Sequence, residues 1–511
     1  MSSHGESFPF HIFFFLIPPA TLPVFLLLLL LLLLFMAALF SPRGIAWSLD
    51  RRCSFIPGAG GLASVLALSG FSAHRALADL SHSLSARHLM AFSIGLTRFI
   101  VSSHPETAKQ ILNSSDFADR PIKESARELL FHRAIGFAPY GDYWRSLRRI
   151  SATRLFCPRP IASFGDFRLE IAEQMAEQVT VLMGKHGQVE LKKIFHFGSL
   201  NNVLKCVFGK SFDFWKGEGM ELERMVREGY ELLGILNWSD HLPLLKWLDL
   251  QGVRKRSRVL VEEVNVFVRG IIEEHRMRRR ICRVSGDFVD VLLDLEDEEK
   301  LSDSDMVAVL WEMIFRGTDT VSILLEWIMA RMILHPEIQS KAQTEMDAYV
   351  GKSRFVCDAD IPNLRYLQSI VKETLRMHPP GPLLSWARLA IHDVHVGDHF
   401  IPAGTTAMVN MWAITHDGAI WADPDEFKPE RFMTDDVNIM GSDLRLAPFG
   451  SGRRLCPGKS MGLAAVHLWL ARLLQSFEWV PSARGVDLSE RLKMSLEMEN
   501  PLVCCAVSRN S

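Results

Sequence analysis

A ten-residue motif near the C-terminus narrows the possible folds of this chain more than any other part of the sequence. Phe449, Gly452, Arg454, Cys456 and Gly458 follow the spacing F-x-x-G-x-R-x-C-x-G. The chain has 32 Phe, 33 Gly, 8 Cys and 57 basic residues among 511 positions, so a chance match is expected in roughly two of ten thousand such sequences. The spacing therefore indicates a functional loop around one cysteine.

The residue types around Cys456 favour a metal-binding thiolate. Gly452 permits a tight turn, and Gly458 leaves room for a flat ligand to approach the backbone. Pro457 suits the first position of a helix, which an apolar stripe extends to Leu474. At a helix N-terminus the dipole and the free backbone N–H groups favour thiolate over thiol. A lone thiolate in a glycine-lined loop suits an axial ligand of haem iron.

Two other roles for Cys456 stay open from the residues alone. A buried structural cysteine is the usual fate of this residue type, and we assign it to the other cysteines, which form no C-x-x-C pair. Zinc would need further ligands. His467 is the one candidate nearby in the sequence, and ligands from distant segments are an alternative.

The charge balance argues against a protein that binds nucleic acid through a cationic surface. The chain has 57 basic and 59 acidic side chains and a formal net charge of −2. Neutralising a phosphate backbone requires a local excess of Lys and Arg that such a balance does not favour. With 48% hydrophobic residues, the chain has the composition of a globular protein.

The N-terminal segment predicts a membrane anchor. No charged residue lies between Glu6 and Arg43, and the run Leu22–Phe40, with nine consecutive leucines, is long enough to cross about 30 Å of hydrocarbon as a helix. A cleaved secretory signal is the alternative, but the run exceeds the usual ~7–15 apolar residues and no basic residue precedes it. By the positive-inside rule the body then faces the cytosol, because these basic residues follow the run: Arg43, Arg51 and Arg52.

We expect residues 1–43 to form the anchor, residues 44–71 a hinge, and residues 72–511 one domain that is mainly α with a minor β portion. Two short β-branched or apolar runs, His395–Ile401 and Thr405–Asn410, predict a hairpin around the turn at Pro402 to Gly404. Apolar periodicity predicts helices at Pro105–Asn113, Tyr143–Leu155, Phe167–Met183, Val259–Arg278, Asp305–Leu334, Pro336–Val350 and Lys459–Gln475.

The cysteine loop resembles the haem-binding loop of the cytochrome P450 monooxygenases, and further signatures of that family follow. The chain has E-x-x-R at Glu373 and Arg376, and P-E-R-F at Pro429–Phe432. The resemblance implies a cytochrome P450 fold preceded by one transmembrane helix, with haem b bound through Cys456. It also implies that Arg431 joins Glu373 and Arg376 in a buried structural triad.

A polar run from Arg316 to Thr320 interrupts the apolar helix predicted at Asp305–Leu334. The residues alone are equally compatible with a break between two helices, or with a threonine that donates to the carbonyl four residues earlier. In the family the matching acid and alcohol, here Asp319 and Thr320, order water and deliver protons for oxygen activation. Arg316 and Val321 depart from the family, which usually has a small residue and a Thr or Ser at these places.

The spacing W-x-x-x-R at Trp144 and Arg148 places both side chains on one helical face. An indole N–H and a guanidinium there suit a haem propionate, and a solvated basic helix is the alternative. The resemblance implies that Arg454 and Arg388 bind propionates as well.

The chain is most similar to plant microsomal A-type members, in particular a group associated with organ and seed size and with leaf initiation. The similarity rests on Phe137–Arg145, Asn237–Pro243 and Phe315–Thr320. It implies a single-pass protein of the endoplasmic reticulum membrane with a cytosolic catalytic domain. NADPH–cytochrome P450 reductase would dock on the cysteine side, where these basic residues lie: Arg145, Arg149 and Lys459.

The implied activity is insertion of one oxygen atom from O2 into a C–H bond of a lipophilic substrate, such as a fatty acid or a growth-signal precursor. A haem-thiolate isomerase or dehydratase, and a non-enzymatic membrane-anchored haem protein, are the alternatives. Asp319 and Thr320 favour the monooxygenase. Arg316 is expected to meet a substrate carboxylate, a propionate or solvent. The segments expected to contact substrate are Leu236–Leu250, Phe315, Arg316, Leu383, Leu384 and Met494–Met498.

Overall fold

The computed structural model describes residues 22–50, 56–213, 217–281, 286–296, 299–384 and 387–509. The residues before Leu22, the basic positions Arg51 and Arg52, and the cysteines Cys53 and Cys282 lie outside this part of the chain. The described residues form a mainly helical body. Its helices are α1 Leu22–Phe40, α2 Ile45–Ser48, α3 Gly61–Ser69, α4 Ala73–Ser83, α5 Pro105–Asn113, α6 Glu124–Glu128, α7 Asp142–Arg154, α8 Pro158–Ser163, α9 Gly165–His186, α10 Leu191–Phe208, α11 Gly217–Gly234, α12 Val253–Ile281, α13 Phe288–Leu293, α14 Asp303–Leu334, α15 Pro336–Tyr349, α16 Arg365–Met377, α17 Met411–Thr415, α18 Arg431–Thr434 and α19 Lys459–Ser476.

The helices predicted from apolar periodicity are confirmed in α5, α7, α9, α12, α14, α15 and α19. The largest difference is at the start of α12, which begins at Val253 because Val253, Ser257 and Leu260 continue its buried face. Periodicity located these elements well, since each helix must turn one apolar stripe towards the core.

The long helix α14 organises the core. It runs without interruption through Arg316–Thr320, so the alternative of a break between two helices is wrong. Ser302 caps its N-terminus by accepting the backbone N–H of Asp305 at 3.2 Å. The helix packs against α10, α12, α16 and α19. It is buried almost along its whole length, which explains why its apolar residues surround the axis rather than one face.

Short strands form the minor β portion at the edges of the helical body. The described strands assemble in the orders β1-β2-β7-β4, β10-β9, β3-β11-β8 and β5-β6. Their bounds are β1 Met90–Ile94, β2 Thr97–Ser102, β3 Val189–Glu190, β4 Arg388–Leu389, β5 Val394–Val396, β6 His399–Ile401, β7 Thr406–Val409, β8 Phe477–Pro481, β9 Glu490–Leu492, β10 Leu496–Met498 and β11 Val503–Ser508.

The hairpin predicted around Pro402 to Gly404 is wrong. The strand β5 pairs with β6 instead, so that the turn lies at Gly397, which has φ +56°. The strand β7 belongs to a different sheet, where it runs parallel to β2 and antiparallel to β4. Its partners are distant in the chain, and local alternation of residues carries no information about them.

The predicted anchor, Leu22–Phe40, is one helix, α1. In the described part of the chain, however, no helix combines the length and the apolarity that crossing a membrane requires. The predicted span is therefore not confirmed.

The described residues of the predicted hinge, 44–71, pack against the first sheet. Trp47 is 1% exposed, and its indole N–H donates to the Phe92 carbonyl at 2.8 Å. Gly58 forms a bridge with Ala91, and α3 follows. The domain boundaries stay a prediction.

The predicted charge triad is confirmed. Arg376 donates to both carboxylate oxygens of Glu373 at 2.9 Å, and Arg431 donates to Glu373 at 3.1 Å. The Glu373 and Arg376 side chains are fully buried. Arg376 also donates to the backbone carbonyls of Thr415 and Pro424, which ties α16 to the segment leading into the cysteine loop.

Candidate active site

The cysteine loop turns sharply before α19. Gly450 and Gly452 have φ of +75° and +67°, which L side chains rarely adopt, and a Cβ at Gly452 would collide with the Leu112 carbonyl. The backbone N–H of Cys456 donates to the Phe449 carbonyl at 3.0 Å. The helix begins at Lys459 with Gly458 as its N-cap, so Pro457 precedes it rather than occupying its first position as predicted.

The Cys456 thiol is affected by burial as well as by the helix end that the sequence indicated. Burial raises its pKa, against the opposing effects of the Gly458 backbone N–H and the charges of Arg148, Arg316 and Lys459. The helix end acts in the predicted direction, since the Gly458 backbone N–H lowers the pKa of the thiol, but in the protein alone the cost of burying an anion is larger. A bound metal ion would offset this cost, because a thiolate is stabilised by the cation that it binds.

A cavity of about 300 Å³ contains Cys456 on its wall. The helix α14 contributes Gly317, Thr320 and Val321 to the same cavity. Every residue predicted to bind the cofactor also lines it: Trp144, Arg148, Arg388, Arg454 and Cys456. The structure therefore brings these predicted positions together from three separate segments of the chain, which are α7, β4 and the cysteine loop.

Three buried guanidiniums meet at this cavity. Arg120, Arg388 and Arg454 are 8%, 4% and 6% exposed. Burial, followed by the charge of Arg454, lowers the pKa of Arg388 to about 9. Burial also lowers the pKa of Arg454 to about 10, with Asp119 opposing this effect. The depressed pKa values show that these cations are held in an unfavourable environment in the protein alone.

The charge of the lining fits haem. Six described lining residues are basic and one, Glu312, is acidic. A flat ligand with two carboxylates would offset this excess, and haem carries two propionates beside an iron that takes a thiolate ligand. Arg120 belongs to this set, although the sequence indicated no role for it.

The predicted propionate-binding side chains also hold the surrounding loops. Arg454 donates to three backbone carbonyls at 2.7–3.1 Å, two of them in the loop before α7. Arg388 donates to the Ser451 carbonyl at 3.1 Å, and Arg148 donates to the Leu455 carbonyl at 2.6 Å. The Trp144 indole N–H donates to the Ile135 carbonyl at 2.9 Å. A guanidinium has five N–H donors, so each arginine keeps donors for a ligand, and propionate binding stays a prediction.

The predicted acid and alcohol of α14 lie on different sides of the helix. Thr320 lines the cavity, whereas Asp319 pairs with His196 of α10, with 3.2 Å between Asp319 Oδ1 and His196 Nδ1. Thr318, rather than Thr320, donates to the carbonyl four residues earlier, that of Ile314, at 2.7 Å. Thr320 therefore lies on the cavity side of α14, and its predicted role in proton delivery stays a prediction. No sequence signal pointed to His196.

Arg316 lines the cavity and pairs with Glu312 one turn earlier on α14, at 2.9 Å. Glu312 is 3% exposed and accepts the Gly136 backbone N–H at 2.9 Å, which holds the loop before α7 against α14. A Cβ at Gly136 would collide with the ends of both side chains, so a larger residue there would displace the Glu312–Arg316 pair. Arg316 therefore faces the cavity, where a substrate carboxylate or a haem propionate would meet it.

The segments expected to contact substrate are only partly correct. Arg316, Leu384 and Met494 line the cavity, and Leu384 does so with φ +49°. Phe315 instead packs in the core against Tyr230, and Leu383 lies in another apolar cluster. The segment Leu236–Leu250 contributes nothing to the described lining, and its C-terminal half is largely exposed. Residues of α10, absent from the prediction, line the cavity instead: Asn202, Val203, Cys206 and Val207.

Comparison with known proteins agrees with this geometry. A family model described as Cytochrome P450 matches residues 65–505. Cytochrome P450 78A5 of Arabidopsis thaliana is 62% identical and covers 93% of both chains, and Cytochrome P450 78A3 of Glycine max is 53% identical and covers 90% of both. A solved zebra fish cytochrome P450 with progesterone is 25% identical, with a TM-score of 0.72 over 86% of this chain and 99% of that chain. The chain therefore belongs to the cytochrome P450 family, and it is a plant A-type monooxygenase that uses haem, O2, a redox partner and a small-molecule substrate.

Proposed function

We propose that this protein inserts one oxygen atom of O2 into a C–H bond of a lipophilic substrate, with haem b held by Cys456. The observation that carries the proposal is the convergence of Cys456, five arginines and Thr320 on one cavity. When bound, haem supplies the reductive activation of O2. Electrons come from NADPH through NADPH–cytochrome P450 reductase.

The chain's own residues hold the cofactor and move protons. Cys456 binds the iron as a thiolate, and the lining arginines Arg148, Arg388 and Arg454 hold the propionates together with Trp144. Thr320 donates a hydrogen bond to water in the cavity, and Asp319 exchanges protons with that water. This division of roles follows the geometry, because Thr320 faces the cavity and Asp319 faces α10.

The substrate pocket supports a lipophilic substrate. The lining is mostly apolar away from the arginines and includes Val203, Val207, Leu324, Leu384 and Met494. Arg316 is already paired with Glu312, so a substrate carboxylate would have to share its guanidinium. We therefore favour a neutral lipophilic growth-signal precursor over a free fatty acid, and a role in plant organ or seed growth.

We infer that the protein is anchored in the endoplasmic reticulum membrane by Leu22–Phe40, with the catalytic domain in the cytosol. Described side chains of α1 expose apolar surface, as do Leu66 of α3 and the tip of the first hairpin at Leu96. The backbone N–H of Leu96 donates to the His241 carbonyl at 2.9 Å. This hydrogen bond places the segment that follows His241 at the same end of the molecule as the hairpin tip. That segment exposes Leu244, Trp247, Leu248 and Leu250.

Reductase docking on the cysteine side is part of the proposal. Arg145 and Arg149 are exposed there, but they pair with Asp142 and Glu299. These pairs must open, or be shared, when an acidic partner binds.

The decisive experiment is the ferrous carbon monoxide spectrum of Cys456→Ser. We expect the red-shifted Soret band of thiolate coordination in the wild type and its loss in the variant. A matched control is Cys357→Ser, which removes a thiol that donates to Asp360 far from the cavity. A variant that keeps the band would overturn the ligand assignment.

A second experiment separates the monooxygenase from an isomerase or dehydratase. Thr320→Ala should retain haem and the carbon monoxide band but release more hydrogen peroxide for each NADPH consumed, because proton delivery is impaired. Turnover that proceeds without NADPH or O2 would identify an isomerase or dehydratase.

A further inference from the structure

The helices α10 and α14 meet in a close contact beside the cavity. At one point Asp319 pairs with His196, at 3.2 Å. At another point Val203 packs on Gly317 so closely that a Cβ at Gly317 would lie 2.5 Å from it. Ser199 lies between His196 and Val203, with helical spacing that puts all three on one face of α10. The face of α10 that carries His196, Ser199 and Val203 is therefore the one that packs against the polar run of α14.

This face carries polar atoms that no protein group satisfies. Among the described residues, His196 Nε2, Ser199 Oγ and Asn202 Oδ1 are buried without a hydrogen-bond partner. Ser199 and Asn202 are 1% and 5% exposed. The neighbouring Asn201 differs, because it exchanges two hydrogen bonds with the Phe212 backbone. Buried polar atoms without protein partners are usually satisfied by ordered water, and a row of three indicates several water molecules.

The row connects the cavity with the protein surface. Asn202 lines the cavity together with Thr320. At the other end the His196 side chain is 23% exposed. One turn further, Lys192 is 31% exposed and pairs with Glu497 at 2.7 Å. A proton acceptor, Asp319, lies at the His196 end, and its side chain is 24% exposed.

We propose that the water-lined seam between α10 and α14, bounded by His196, Ser199 and Asn202, carries protons from solvent to Asp319 and Thr320. The inference rests on the proposed function. Insertion of one oxygen atom of O2 into a C–H bond takes up two electrons from NADPH and two protons and releases one water molecule. His196 is a positioning residue: its Nδ1 orients the Asp319 carboxylate and gives it a proton, and a water molecule of the seam returns a proton to the imidazole at Nε2. Ser199 and Asn202 hold the water molecules that lead on to Thr320.

The first test is the crystal structure of the haem-loaded protein. We expect ordered water molecules within hydrogen-bond distance of Ser199 Oγ and Asn202 Oδ1. A seam without water would overturn the proposal, whatever the activity of the enzyme.

The second test uses NADPH-dependent O2 consumption by the protein with its reductase, without added substrate, in H2O and in D2O. His196→Leu and the double variant Ser199→Ala, Asn202→Leu should lower the rate by about tenfold and enlarge the solvent isotope effect. Haem content and the carbon monoxide band should be unchanged. Lys193→Gln is the matched control, since Lys193 lies on the exposed face of the same helix.

The variants of α14 distinguish failure of this inference from failure of the proposed function. In one outcome, Thr320→Ala and Asp319→Asn alter the rate and the isotope effect while the α10 variants do not. That result would reject proton transfer along the seam and would keep the proton-delivery role of Asp319 and Thr320. If none of them has an effect, the proton-delivery role of the acid–alcohol pair is wrong as well.

Discussion

Glu326 is a buried carboxyl group whose protonation state the fold controls. It is 0% exposed, and one oxygen accepts the Leu502 backbone N–H at 2.9 Å. Burial raises its pKa from 4.5 to about 7, with the Leu502 N–H and Lys192 opposing. The folded state thus binds a proton more tightly than the unfolded chain does. The protein therefore loses stability as the pH rises from the pKa of Glu326 in the unfolded chain to its pKa in the folded protein.

We predict that Glu326→Gln stabilises the protein in a pH-dependent way. The amide imitates the protonated acid, so relative to wild type the free energy of unfolding should gain about 2 kcal/mol more at pH 8 than at pH 5. Chemical denaturation of both proteins at the two pH values measures this difference in the free energy of unfolding. Glu337→Gln, at an exposed position on α15, is the control and should show no such difference. An equal effect at both pH values would contradict the raised pKa.

At the residue scale, sequence motifs located the side chains that face the cavity. They missed the side chains that pair with those residues from other parts of the fold. Cys456, Thr320 and Arg454 belong to short patterns whose spacing is itself informative. His196 and Glu312 are recognisable only when α10 and α14, or α14 and the loop at Gly136, are placed side by side. The raised pKa of the Cys456 thiol was missed for a related reason, because burial is a property of the whole fold.

The helix α16 depends on one carboxylate that two arginines share. We predict that Glu373→Gln destabilises the protein by about 3–5 kcal/mol, because Arg376 remains buried without a counter-charge. The free energy of unfolding and the yield of haem-loaded protein measure this.

The control for this prediction is Glu430→Gln. Glu430 pairs with Lys341 at 2.7 Å on the surface, and its loss should cost less than about 1 kcal/mol. Equal losses in the two variants would show that the buried triad is not the source of the stability.

At the scale of elements, helices were predictable and strands were not. A helix of the length of α9 or α15 repeats its apolar stripe several times, so that its sequence alone defines it. The strands β4, β5 and β6 have two or three residues each, too few for an alternating pattern. The pairing of β7 with β2 joins positions about 300 residues apart, which no local signal describes.

At the scale of the molecule, exposed apolar side chains gather near the N-terminal sheet. Leu244, Trp247 and Leu250 are 85%, 79% and 65% exposed. Such a cluster of exposed apolar side chains, unlike single scattered ones, marks an interaction surface. We predict that protein lacking residues 1–43 still binds phosphatidylcholine vesicles. The double variant Trp247→Ser, Leu250→Ser should weaken this binding by at least about tenfold, because each large side chain contributes roughly 1.5–3 kcal/mol when it leaves water.

Vesicle flotation measures this binding. Val266→Ser removes an exposed apolar side chain from α12, outside the segment 244–250, and should leave the binding unchanged. Equal binding by all variants would contradict the role of this surface.

The arginine cluster also bears on how the protein is made. Without porphyrin, a newly synthesised chain must bury Arg120, Arg388 and Arg454 together, and this burial is the main cause of the lowered pKa of all three. Closure of the loops around them is therefore coupled to cofactor insertion, and chains that wait for the cofactor stay open to proteases. We expect the cellular abundance of this protein to follow porphyrin supply rather than its rate of translation.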